Sequence, residues 1–218
     1  MRELANACAA AGFHVELPRL AGHGTVMEDM IPTRWADWTR DVDAAYRKLA
    51  ERASRIVVLG LSMGGSLTLW TGTQHPAVKG LVCVNPATQP QAPEVMDMLK
   101  GMIDGGTEVM DGIGSDIADP DTHETAYPGT PLAALHSFQV DGLVPLSKQY
   151  GSLTMPLLLF TSVQDHVVNP ADSDALAASY GGRVERVMLE RSYHVATQDY
   201  DKHHIFEKSV DFINRVTA

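Results

Sequence analysis

The sequence contains little cysteine and no long hydrophobic run, and both absences limit the kind of protein it encodes. Only Cys8 and Cys83 occur among 218 residues, so a disulfide framework is excluded and a cytoplasmic, reducing location is predicted. No stretch approaches the roughly 18 consecutive apolar residues of a membrane-spanning helix. The alanine-rich segment 1–11 contains Glu3 and Asn6, and we interpret it as an amphipathic helix rather than a signal peptide.

Basic residues are also scarce, with 17 Lys and Arg against 27 Asp and Glu, for a net charge of −10. Such an acidic surface argues against nucleic acid, or an anionic membrane face, as the main partner. No group of His, Cys, Asp and Glu has metal-ligand spacing, and no glycine-rich phosphate-binding motif follows a strand. The sequence therefore predicts neither a metal nor a cofactor.

Helical and strand-like patterns alternate along most of the chain. The predicted helices cover residues 4–11, 33–53, 63–74, 170–180 and 201–216, and the predicted strands cover 13–17, 56–59, 78–84, 157–161 and 184–189. The short apolar runs are typical of parallel strands that are buried on both faces. This alternation predicts an α/β fold with a doubly wound, mostly parallel sheet.

The alternation stops between residues 86 and 150. This segment holds seven prolines, no convincing buried strand, and four of the ten methionines. We predict a core of residues 1–85 and 151–218 and a cap, or lid, insertion of residues 86–150. Because methionine side chains adapt to flexible ligands, these methionines are interpreted either as the lining of an apolar pocket or as ordinary packing.

A candidate nucleophile lies in Gly60-Leu-Ser62-Met-Gly64, which fits the pattern G-x-S-x-G. The motif directly follows a predicted buried strand and opens a predicted helix. At such a turn the glycines let the backbone pass, and the backbone of Ser62 is strained. The Met63 N–H at the start of the helix is a candidate donor to a developing oxyanion. The alternative is a plain glycine-rich turn without catalytic function.

A serine nucleophile needs a base, and the base needs an orienting acid. Asp165 and His194 follow the two later predicted strands, at the sheet edge where Ser62 lies. The order Ser62, Asp165, His194 is the one that the motif predicts for this fold. His166 is an alternative base, although neighbouring residues rarely face each other well. Asp199 is interpreted as a surface acid, with support of His194 as the alternative.

Several segments together resemble one family. These are residues 18–25 with Gly22-His-Gly24, 60–65, 165–168 and 192–195. They are similar to α/β-hydrolase-fold bacterial carboxylesterases related to monoacylglycerol lipases. The resemblance implies ester hydrolysis through an acyl-serine intermediate beneath a small cap. It also implies that Ser62 is the nucleophile, that His194 acts as general base and then general acid, and that Asp165 orients His194.

The start of the sequence departs from that family. Family members usually begin with a strand that ends in His-Gly, and this loop supplies the second oxyanion donor. Here the sequence opens in what is predicted to be the first helix, so, from usual element lengths, we expect roughly thirty residues of the family pattern to be absent. Three explanations are considered. The natural protein is longer, which we favour; the chain is a true truncation; or another segment or subunit, as in a homo-oligomer, fills the gap.

The leading hypothesis is therefore a serine carboxylesterase or lipase. Its expected partner is a small-molecule ester with a short- to medium-chain acyl group, monoacylglycerols included. One alternative is a hydrolase of another bond type on the same fold. The other is a catalytically impaired relative that acts as a binding module, which the missing oxyanion loop would explain.

Overall fold

The computed structural model describes all 218 residues. The strands are β1 (Val57–Leu61), β2 (Gly80–Val84), β3 (Val109–Asp111), β4 (Gly129–Pro131), β5 (Leu157–Ser162) and β6 (Val184–Leu189). The α-helices are α1 (Arg2–Ala10), α2 (Met27–Met30), α3 (Trp35–Ala50), α4 (Met63–Gln74), α5 (Pro93–Asp104), α6 (Leu132–Ser137), α7 (Val144–Leu146), α8 (Pro170–Ser179) and α9 (Lys202–Thr217). No helix is both long and apolar enough to cross a bilayer.

The central sheet is parallel, with the strand order β1-β2-β5-β6. Every residue of β2 and β5 is buried, because helices cover both faces of the sheet. Val82 and Val84 pack with α1 and α9, whereas Leu81 and Cys83 pack with α4 and α8. The predicted α/β fold with a mostly parallel, doubly wound sheet is confirmed.

The predicted strand at residues 13–17 is wrong. This segment contains no strand, and no backbone hydrogen bond joins it to the central sheet. Phe13 and Val15 pack against the core, and Glu16 forms ion pairs with Lys48 of α3 and with Arg52, which follows that helix. The alternation of apolar side chains is present in the sequence, but a strand also needs a hydrogen-bonded neighbour.

Residues 13–17 and β1 both line an apolar cleft of about 400 Å³. Phe13 and Val15 contribute apolar side chains to this lining, and so do Val57 and Leu59 of β1. β1 pairs with β2 along one edge only, so its other backbone edge faces this cleft without a strand partner.

Residues 86–150 add no strand to the central sheet. They contain α5, α6, α7 and an antiparallel pair formed by β3 and β4, which the sequence did not predict. A six-residue π-helical segment, Phe138–Leu143, follows α6. Phe138 and Leu143 pack against Trp35 and Leu67, so this part of the insertion is anchored on α3 and α4. Met98 and Met110 are 58% and 40% exposed, so neither is a fully buried core residue.

Candidate active site

Ser62 lies on the sharp turn between β1 and α4. Its φ of 56° is in the left-handed region, which non-glycine residues rarely adopt. The turn is crowded: a Cβ on Gly60 would overlap the Gly64 carbonyl, and one on Gly65 would lie 2.6 Å from the Pro86 Cβ. Gly60 and Gly65 are therefore required by packing, whereas a Cβ on Gly64 would meet no atom within 4 Å.

The Met63 N–H is the first of α4, and it has no backbone acceptor in the protein. The first N–H groups of a helix lack intrahelical partners, and the helix dipole favours negative charge beside them. This donor is therefore free to bind an anionic oxygen next to Ser62, as the sequence predicts.

Asp165 and His194 meet where β5 and β6 end. The His194 Nδ1 lies 2.8 Å from the Asp165 Oδ2, and the two side chains are only 7% and 2% exposed. The other carboxylate oxygen of Asp165 accepts the N–H groups of Val167 at 2.9 Å and Val168 at 2.8 Å. Because both oxygens are held, the carboxylate is fixed in the orientation that receives the imidazole Nδ1–H.

His166, the alternative base, does not face Asp165. Its Nδ1 lies 2.8 Å from the Asp116 Oδ1, and its side chain is 60% exposed. Asp165 instead pairs with the buried ring of His194. The geometry therefore favours His194 as the partner of the orienting acid.

Asn85, which the sequence analysis missed, joins the strand ends beneath the site. It directly follows β2, is buried, and has a φ of 44°. Its Nδ2 donates to the His194 carbonyl at 2.8 Å, and its Oδ1 accepts the Ser162 N–H at 2.7 Å. The only local signal is the pair Asn85-Pro86 directly after the strand, which indicates a turn and not a role in the site.

Asp199 is not a surface acid, so that interpretation is wrong. Asp199 is buried, with only 1% of its surface exposed. Its carboxylate accepts four backbone N–H groups, from Ala118, Asp119, Tyr193 and Tyr200, at 2.7–3.1 Å. Two of these amides, those of Ala118 and Asp119, are 81 and 80 residues away from Asp199 along the chain, so local sequence does not reveal its burial.

Two further carboxyl groups lie near the pair. Burial raises the pKa of Asp172, and the charge of Asp165 adds to that shift. Burial also raises the pKa of Glu124, while the charge of His194 acts in the opposite direction. Asp172 is in the first turn of α8, and Glu124 lies between β3 and β4, so acids from two distant parts of the chain act on the pair.

The chain is similar in sequence to known hydrolases. Residues 1–110 match the hydrolase family described as "Serine aminopeptidase, S33". The chain is 42% identical over 216 residues to a thermostable monoacylglycerol lipase of Bacillus sp. (strain H-257), covering 97% of this chain and 84% of that one.

Solved structures give the same picture. One matched structure comes from the work on the metagenome-derived lipolytic enzymes LipS and LipT. It has a TM-score of 0.92 and 38% identity, and the match covers 99% of this chain and 87% of the matched chain. The monoacylglycerol lipase of Paleococcus ferrophilus shares the fold, with a TM-score of 0.75 and 14% identity over 98% of this chain and 88% of that one.

These likenesses, together with the parallel sheet and its serine turn, define a hydrolase of the α/β-hydrolase fold. The chain belongs to the serine aminopeptidase S33 family, and within it to the ester-hydrolysing enzymes that include lipases and esterases.

Proposed function

We propose that the chain is a serine carboxylesterase or lipase whose nucleophile is Ser62. His194 accepts the serine proton as the hydroxyl oxygen attacks the ester carbonyl, and it then donates that proton to the departing alcohol. Water, activated by the same imidazole, releases the acyl group from Ser62. The observation that carries this proposal is the buried 2.8 Å contact between His194 and Asp165, at the same sheet edge as Ser62.

The surroundings support each role. Asp165 holds the Nδ1 of His194 as a hydrogen-bond donor, which leaves the Nε2 as the basic nitrogen. The free N–H of Met63 is placed to stabilise the negative oxygen of the tetrahedral intermediate. Donors of this kind act strongly because they are oriented before the charge develops.

We propose short- to medium-chain acyl esters, monoacylglycerols included, as the substrates. The support is the 42% identity to a monoacylglycerol lipase over almost the whole chain. Residues 86–150 are proposed to form the cap over the site. The two cysteines are free and buried, which supports a cytoplasmic location, and a homo-oligomer stays a prediction.

The experiment is labelling with a fluorophosphonate, read by intact mass. We expect one adduct per chain, lost in Ser62→Ala and retained in Ser66→Ala, the same change at a nearby serine in α4. Ester turnover should fall in Ser62→Ala to the uncatalysed rate. The absence of an adduct on the wild-type chain would overturn the proposal in favour of a non-catalytic binding module.

Substrate class is tested separately with monoacylglycerols of increasing acyl length, alongside p-nitrophenyl esters of the same acids. We expect kcat/KM to be highest at short or medium length. If the chain is labelled but hydrolyses none of these esters, Ser62 is activated and the chain is a hydrolase of another bond type.

A further inference from the structure

We propose that Asp116, in the segment between β3 and β4, is a positioning residue for the catalytic pair. Its carboxylate holds the two loops that carry Asp165 and His194 at a fixed distance from each other. This inference rests on the proposed function, and it adds a residue of the insertion to the machinery of the core.

The contacts of Asp116 join three parts of the chain. Its Oδ2 accepts the backbone N–H of His194 at 3.0 Å and that of His166 at 3.1 Å. Its Oδ1 pairs with the His166 ring nitrogen, and its carbonyl accepts the Val195 N–H at 3.1 Å. One carboxylate therefore bridges the residue next to Asp165 and the backbone of His194 itself.

The His194 peptide groups are held from two sides. Asp116 receives the N–H, and Asn85 donates to the C=O at 2.8 Å. Because both backbone groups of His194 are bound by side chains, its Cα position is set by two independent elements. Loss of the Asp116 contact would leave only the Asn85 side in place.

Asp116 is itself held firmly. The carboxylate of Asp199 binds the N–H groups of Ala118 and Asp119, two and three residues further along the segment. Burial acts to raise the pKa of Asp116, but hydrogen bonds from the His166 ring and from the His166 and His194 amides together lower it. The carboxylate is thus ionised at neutral pH, as an acceptor of three N–H groups should be.

The test compares Asp116→Asn with Asp119→Asn. The Asp119 carboxylate contacts only its own turn, through the Asp121 N–H and the Thr122 hydroxyl, so it is a matched control. Asn keeps the shape of Asp116 but loses the charge and places an amide donor among the N–H groups. Displacement of catalytic groups by about 1 Å can cost around a hundredfold in rate.

We expect Asp116→Asn to lower kcat by about 10- to 100-fold and to change KM by less than about threefold. The kcat of Asp119→Asn should stay within about twofold of the wild-type value. Fluorophosphonate labelling distinguishes positioning from folding. A positioning role slows the rate of labelling per site while one adduct per chain still forms, whereas a merely structural role reduces the number of sites that react.

Asp116→Glu, which keeps the charge and both acceptors, should retain more activity than Asp116→Asn, and it also serves if the Asn variant fails to fold. Two outcomes would overturn the inference while the proposed function stands. One is that both Asp116 variants are labelled at the wild-type rate. The other is that fewer sites react while the rate per reactive site is unchanged. If the wild-type chain itself fails to label, both proposals fall.

Discussion

At the residue scale, Asn85 shows how much of the site depends on one buried polar side chain. Its amide holds the end of β5 through Ser162 and the carbonyl of His194. It does so from a backbone conformation with a φ of 44°. An asparagine tolerates that conformation better than most residues, and its amide offers both a donor and an acceptor.

Asn85→Ala should therefore lower both stability and activity. It leaves the Ser162 N–H and the His194 C=O buried without partners, which typically costs about 1–3 kcal/mol per group. For the two groups together this is about 2–6 kcal/mol, so we expect Tm to fall by roughly 4–24 °C at about 2–4 °C per kcal/mol, measured by scanning calorimetry. The control is Asn169→Ala, which removes the helix cap bond to Ala171 and should cost about 1 kcal/mol. An equal fall in Tm in Asn85→Ala and Asn169→Ala would contradict this account of Asn85.

At the element scale, α3 and the end of α4 are linked through Asp43. Its carboxylate accepts from the Arg47 Nε at 2.6 Å and lies 2.7 Å from the His75 Nε2. His75 also stacks on Tyr46, with ring centroids 3.8 Å apart. The hydrogen bond from Arg47, aided by that from His75, holds the pKa of Asp43 below its ordinary value.

A lowered pKa makes this link dependent on pH. The stabilisation is present above the unfolded-state pKa of about 3.9 and is lost as the pH falls through the lower folded-state value. We expect Asp43→Asn to lower Tm by about 1–3 °C at pH 7 and the difference to narrow below about pH 4. Asp104→Asn, which breaks the exposed pair with Lys100, should change Tm less. A Tm difference for Asp43→Asn that is constant between pH 7 and pH 3 would argue against the link.

At the scale of the whole molecule, the cleft beside β1 is the feature that departs most from a closed α/β core. Apolar side chains of residues 13–17 and of β1 face a space of about 400 Å³. Contiguous apolar surface of this kind is unusual on a soluble monomer and favours the binding of apolar groups. β1 also has an edge without a strand partner, and unpaired edges are prone to pair with other strands.

The native chain should accordingly enhance the fluorescence of the apolar dye ANS. The double change Val15→Ser and Val57→Ser replaces two apolar side chains that line the cleft with polar ones. It should reduce the fluorescence enhancement by at least about half, because less apolar surface is available to the dye. Ile113→Ser, an exposed apolar position outside the cleft, is the control and should leave the signal unchanged. A folded chain that gives no enhancement would show that the cleft is closed in solution.

Sequence alone determined the features that depend on short separations along the chain. The alternation of apolar strands with helices predicted the parallel sheet, because both periodicities are local. Gly60, Ser62 and Met63 could be identified because the geometry of a strand-to-helix turn is set by adjacent residues. Asp165 and His194 followed from the rule that the carboxyl ends of parallel strands share one edge.

Only the tertiary structure decided which distant groups meet at that edge. Asp116 contacts His194 across a separation of 78 residues, and Asn85 does so across 109. Such pairs depend on how loops fold over the sheet, and no local pattern records that. Residues 13–17 show the same limit, because their alternation is strand-like but pairing requires a neighbour that they lack. Periodicity depends only on the residues of the segment itself. Hydrogen bonding and burial also depend on the neighbouring elements that the tertiary structure places beside it.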